Sequence, residues 1–141
     1  MRTRVLGFCL LFFVATGAGR AQHPGDDPIG RNLFPPELVM QNQEAVGLND
    51  EQRAFLKTEI RQAQTKFTDL QWKLQDEMEK MASLIKQPHP DEQQVLAQLE
   101  KVLGFEREMK RAQIALLVHI KNKLTPEQQA RLEDIRSKSK P

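Results

Sequence analysis

Between residues 50 and 123 the chain meets helix-breaking chemistry in one place, "QPHPD" at 87–91, where Pro88 and Pro90 flank His89. Neither proline fits a helix interior, because the ring removes an N–H donor and clashes with the carbonyl one turn back. On both sides lie stretches without proline, with Gly104 as their one glycine and few β-branched residues. No strand-like alternation interrupts them. Two long helical segments joined by a short loop fold back on one another as an antiparallel hairpin. At ~1.5 Å per residue each arm is about 50 Å long.

The pattern predicts helices over 37–46, 50–86, 92–123 and 126–138. The first follows Pro36 and stops at Gly47, a residue suited to a left-handed helix end. The first long arm carries an apolar stripe at Leu56, Ile60, Ala63, Phe67, Leu70, Leu74, Met78, Met81 and Ile85. The second carries Val95, Leu96, Leu99, Val102, Leu103, Met109, Leu116, Leu117 and Ile120. Spacings of three and four keep each set on one helix face. The expected fold is therefore all-α: a long antiparallel hairpin with short flanking helices. Two stripes facing each other make a thin core for so long a shape, so a homodimer is expected to complete the burial. Glu106, Lys110 and Gln113 interrupt the second stripe; the first two have the spacing of an i,i+4 ion pair, and a polar crossing point in a dimer is the alternative. Trp72 points almost opposite the first stripe, either under a flanking helix or toward a partner.

The N-terminus has a different grammar. "MRTR" precedes the apolar run "VLGFCLLFFVATGAG", and "GRA" ends at Ala21. A basic start, a short apolar stretch and a small-x-small site are the layout of a cleaved secretory leader over 1–21, with an uncleaved anchor as the lesser alternative. A flexible, proline-rich arm is expected over 22–36, an all-helical domain over 37–138 and a tail over 139–141. The whole chain has 21 Lys+Arg against 19 Asp+Glu. Arg2, Arg4 and Arg20 leave with the leader and no acid does, so the mature chain carries 18 basic against 19 acidic side chains. That near balance argues against nucleic acid as a partner. Cys9, the only cysteine, leaves too, so no disulfide or thiolate metal site is expected, although an exported chain enters an oxidising compartment.

No nucleophile sits beside a base, no glycine-rich phosphate loop is present, and the carboxylates alternate with Lys and Arg as on solvated faces; an enzyme is not expected. Metal ligation has more support. His23 would lie near a new amino terminus, His89 lies in the hairpin loop, and His119 lies late in the second arm. Counting outward from the loop sets Glu59 level with His119. With Met40 or Glu44 from the first helix, these could form a mixed oxygen, nitrogen and sulfur site for a divalent transition metal, against the plainer reading of an exposed histidine. Off-stripe apolar residues Phe55, Trp72, Leu84 and Phe105 are candidates for contact with other proteins.

One short phrase occurs twice. "LNDEQRAFL" (48–56) and "LTPEQQARL" (124–132) both fit L-x-x-E-Q-x-A-x-L. In each the second residue, Asn49 or Thr125, can cap a helix, and the glutamine at the third helical position, Gln52 or Gln128, can return a bond to the cap amide. Leu48 and Leu124 match without any need from capping, which implies that both helix starts dock into similar apolar surroundings.

With its leader, its helical composition and this spaced pair of L-T-x-x-Q-type starts, the chain resembles the periplasmic Spy/CpxP family, including CnrX-like and ZraP-like metal-resistance and metal-sensing proteins. "LTPEQ" matches the motif in full; "LNDEQ" departs at Asn49 but keeps the cap. "FPPELVMQNQ" (34–43) also looks like members described as metal sensors. The resemblance implies a dimeric helical cradle. Its chaperone branch implies ATP-independent binding of unfolded clients during envelope stress. Its metal branch implies binding of nickel, cobalt or zinc and signalling to a membrane-bound partner. Where that branch has paired histidines on the first helix, this chain has Met40 and Glu44. A passive adaptor in an envelope complex is a third expectation.

Overall fold

The structure, a computed structural model, describes residues 29–139. The expected leader, the arm up to residue 28 with His23, and the last two residues lie outside the described residues. A single 3-10 turn, Gly30–Asn32, leads into five helices: α1 (Pro36–Gln41), α2 (Gln43–Val46), α3 (Asp50–Ile85), α4 (Glu92–Lys123) and α5 (Pro126–Lys138). No strand occurs among the described residues. Helices α3 and α4 pack along each other as the expected hairpin.

The boundaries follow the local chemistry. Asn49 caps α3 and Asp91 caps α4, each accepting a backbone N–H three residues on through its side chain. Gly47 closes α2 at φ 73°, the one positive φ among the described residues, where any Cβ would be strained. The helix expected over 37–46 is split at Asn42, whose side-chain amide donates to the Leu38 carbonyl at 2.8 Å and whose backbone leaves helical geometry.

The core is concentrated at the open end of the hairpin. Phe34, Val39, Val46, Leu48, Leu56, Ile120, Leu124 and Leu132 form one buried cluster drawn from the incoming segment and from α1, α2, α3, α4 and α5, with the linking residues between them. Along the arms beyond it, Leu70, Gln98 and Val102 are the buried side chains. Phe67, Met78 and Ile85 on α3, and Leu96 and Leu103 on α4, are exposed. The apolar stripes are thus buried fully only where a third layer exists. Two helices in contact cover the line between them and leave the flanking positions of each stripe open.

Two further features go beyond the expected pattern. The arm expected over 22–36 is described from residue 29 on, and there Leu33 and Phe34 belong to the buried core. Arg136 holds this segment, donating to the carbonyls of Arg31 (2.7 Å) and Leu33 (2.5 Å), with its guanidinium 5.1 Å from the Phe34 ring centre. Lys121 adds a bond to the Asn32 carbonyl at 2.6 Å. Cations at two helix ends supply the partners that a proline-rich segment cannot find in itself. Glu106 and Lys110 form no ion pair among the described residues; both are exposed, where attraction at i,i+4 barely exceeds screening by water.

Candidate functional site

The repeated phrase comes together in space. Gln52 and Gln128 are 6% and 8% exposed and face each other as a reciprocal amide pair. Gln52 Nε2 donates to Gln128 Oε1 at 2.8 Å, and Gln128 Nε2 donates to Gln52 Oε1 at 3.0 Å. Each second donor hydrogen reaches a carbonyl two residues before the other motif's cap: Gln52 to Lys123 at 2.9 Å, Gln128 to Gly47 at 3.1 Å. Each Oε1 also accepts its own cap's N–H, from Asn49 at 3.1 Å and from Thr125 at 3.0 Å. In return the caps accept the amides of Gln52 and Gln128. Leu48, Leu56, Leu124 and Leu132 close the apolar shell around this network. Both capping boxes are thus two halves of one buried lock. Among the described residues no buried side-chain polar atom is left without a partner.

Two turns into α3 from this lock a histidine and a glutamate meet across the arms. His119 Nδ1 lies 2.7 Å from Glu59 Oε2, bridging α4 and α3. The histidine side chain is 54% exposed and the glutamate 23%. Nε2 of His119 forms no hydrogen bond among the described residues, so the ring is oriented at one nitrogen and open at the other. In a neutral ring a carboxylate on Nδ1 favours the proton at that nitrogen, which leaves the Nε2 lone pair available. The other residues considered for a metal are not joined to this pair by a hydrogen bond or ion pair. Met40 is partly buried against the core cluster, and Glu44 is exposed on α2. Among the described residues no group of three or more His, Cys, Asp and Glu side chains is placed to hold a metal ion.

Lys123 braces the same end of the hairpin. Its ammonium is 2.7 Å from Glu51, which holds that carboxyl below the usual range by hydrogen bonding and charge, and 5.0 Å from the centre of the Phe55 ring. Phe55 is therefore packed into the base. The other apolar candidates lie elsewhere: Trp72 is 63% exposed partway along α3, Leu84 is half-buried at the far end of that arm, and Phe105 is half-buried on α4. No flanking helix covers Trp72. From Phe55 to Leu84 the helix rises roughly 43 Å, so these four do not form one site. Where α1 ends its coverage, a concavity of about 330 Å³ opens between the arms, lined by Ile60, Ala63, Phe67, Ala112 and Leu116 with Pro36.

The glutamine pair and the Arg136 clamp escaped sequence reasoning. The first left a signal: both motifs carry glutamine, not glutamate, at the third helical position. A carboxylate would serve the cap equally well, and only an amide can also donate to a second partner.

Among known proteins, the family described as "Heavy-metal resistance" matches residues 5–135, almost the whole chain. No curated protein and no solved structure matches it.

Proposed function

Given that the chain belongs to the heavy-metal resistance family, within the Spy/CpxP/CnrX/ZraP-like helical group, we propose that it binds a divalent transition metal at His119, oriented by Glu59. The observation that carries this reading is the 2.7 Å Nδ1–Oε2 contact between the two arms, with Nε2 left open. An open imidazole nitrogen suits zinc, nickel, cobalt or copper(II) rather than a thiolate-seeking ion. The pair offers one open protein donor, so the site is labile and water or a second protein would fill the remaining positions. A metal held at Nε2 would bring positive charge to α4 beside its junction with α3, where Glu59 offsets it through the ring. The proposed role is sensing or sequestration without catalysis.

Calorimetric titration with zinc, nickel, cobalt and copper tests it. Binding at micromolar metal is expected, lost in His119→Ala and weakened about 10-fold to 100-fold in Glu59→Gln, the usual cost of losing such an orienting group. Heat only at millimolar metal, or heat unchanged in His119→Ala, would overturn the site.

A second reading, chaperone-like binding of unfolded clients, is favoured by the exposed apolar rows on the two arms and by Trp72. It predicts slower aggregation of a denatured protein at near-stoichiometric ratios and a weaker effect for Trp72→Ala; no effect on several clients sinks it. In both readings we place the protein in the periplasm, released from its leader after Ala21 and assembled as a homodimer. Mass spectrometry of exported protein should find Gln22 as the first residue.

A further inference from the structure

Several cations elsewhere among the described residues have partners. Lys80, Lys123, Lys138 and Arg53 approach carboxylates, Arg131 and Arg136 donate to backbone carbonyls, and Lys121 does the same. Others, Lys57 and Lys110 among them, have none, but midway along the hairpin three such cations share one hollow. Arg107 and Arg111 on α4 and Lys66 on α3 line one concavity of about 390 Å³ and make no ion pair or hydrogen bond among the described residues. Glu108 also lines it and is likewise unpaired, which leaves an excess of two positive charges.

The floor of the same concavity is Gly104. Gly104, Arg107, Glu108 and Arg111 follow the i, i+3, i+4, i+7 spacing that sets residues on one stripe of a helix. A glycine inside a helix weakens it relative to alanine. Packing does not ask for one here, because a Cβ at Gly104 would have nothing within 4 Å and its φ is not in the left-handed region. The glycine therefore keeps space open between cations that have no acid to satisfy them. Two guanidinium groups one helical turn apart present paired N–H donors at the spacing in which oxyanions are gripped by more than one fork, and the lysine adds a point charge from the opposite arm.

We propose that the concavity of Lys66, Gly104, Arg107 and Arg111 is a binding site for a phosphate group, borne by a small soluble phosphate or by a lipid headgroup. Glu108 sets a limit on the ligand. Its carboxylate repels a dense polyanion and can accept from a hydroxyl beside the phosphate, so a single phosphate with an adjoining hydroxyl fits best. The site lies away from the Glu59–His119 pair and stands whether or not that pair takes a metal.

The test has two arms. Inorganic phosphate and glycerol phosphate are titrated into the protein at moderate salt, and flotation is measured with vesicles of phosphatidylglycerol in phosphatidylcholine against phosphatidylcholine alone. Binding in either arm is expected, lowered at least about tenfold in Arg107→Ala/Arg111→Ala, as befits the loss of charged hydrogen bonds. Lys57→Ala/Lys86→Ala removes the same charge elsewhere and should change it less than about twofold. Gly104→Ala should raise Tm, and Gly104→Met, which fills the floor, should weaken binding as the double arginine variant does. No binding in both arms, equal loss in the two charge-matched variants, or full binding by Gly104→Met would each overturn the site.

Discussion

At the residue scale, function and stability hang on a few side chains whose second partner is distant in sequence. Gln52 and Gln128 each make a local cap bond and a long-range amide bond. Replacing either with alanine strands a buried amide of the other, at a cost of about 1–3 kcal/mol plus the loss of a cap return bond. Denaturant unfolding of the double variant should show the second substitution costing much less than the first, since both delete one interaction. Thr125→Ala removes only the cap acceptor and should cost about 1 kcal/mol with metal binding unchanged. A loss of binding at unchanged stability would show that the motif does more than lock the fold.

For the elements, the long hairpin is stitched by polar bonds where its apolar core is thin. Gln98 on α4 donates to the Glu77 carbonyl at 2.8 Å and to its carboxylate at 2.6 Å, and Lys80 approaches that carboxylate at 2.6 Å. The Lys80 hydrogen bond, then that of Gln98, holds the Glu77 carboxyl below its ordinary value of 4.5. A folded-state pKa below the unfolded one stabilises the fold above the unfolded value and loses that contribution as pH falls through the folded one. Amide protection factors around residues 77 and 98 should therefore fall below about pH 4.5, and Glu77→Gln should flatten this response. At the other end, Arg136→Ala should release the 29–34 segment, read as rapid proteolysis there and a lower Tm while α3 and α4 stay helical.

Across the whole molecule, burial is unequal: the base is a layered core and the arms are two helices wide. A molecule so shaped leaves Phe67, Met78, Ile85, Leu96 and Leu103 in water, a surface that a second copy or a client would cover at a gain. Sedimentation of the wild type and of Met78→Glu/Leu103→Glu separates these. A dimer that dissociates in the variant at unchanged helix content assigns the rows to self-association; a wild-type monomer whose client protection is lost in the variant assigns them to clients.

The sequence by itself determined the two long helices and α5, their ends, the hairpin and the level of Glu59 with His119, because proline breaks, caps, 3.6-residue periodicity and a rise of ~1.5 Å per residue act within one chain direction. It did not reveal that Gln52 would hold Gln128, that Arg136 would draw Leu33 and Phe34 into the core, or that the stripes would be buried at one end only. Those outcomes depend on which surfaces meet when distant segments pack. A side chain's local pattern states what it can bond to or bury against, and only the tertiary structure brings the partner within reach.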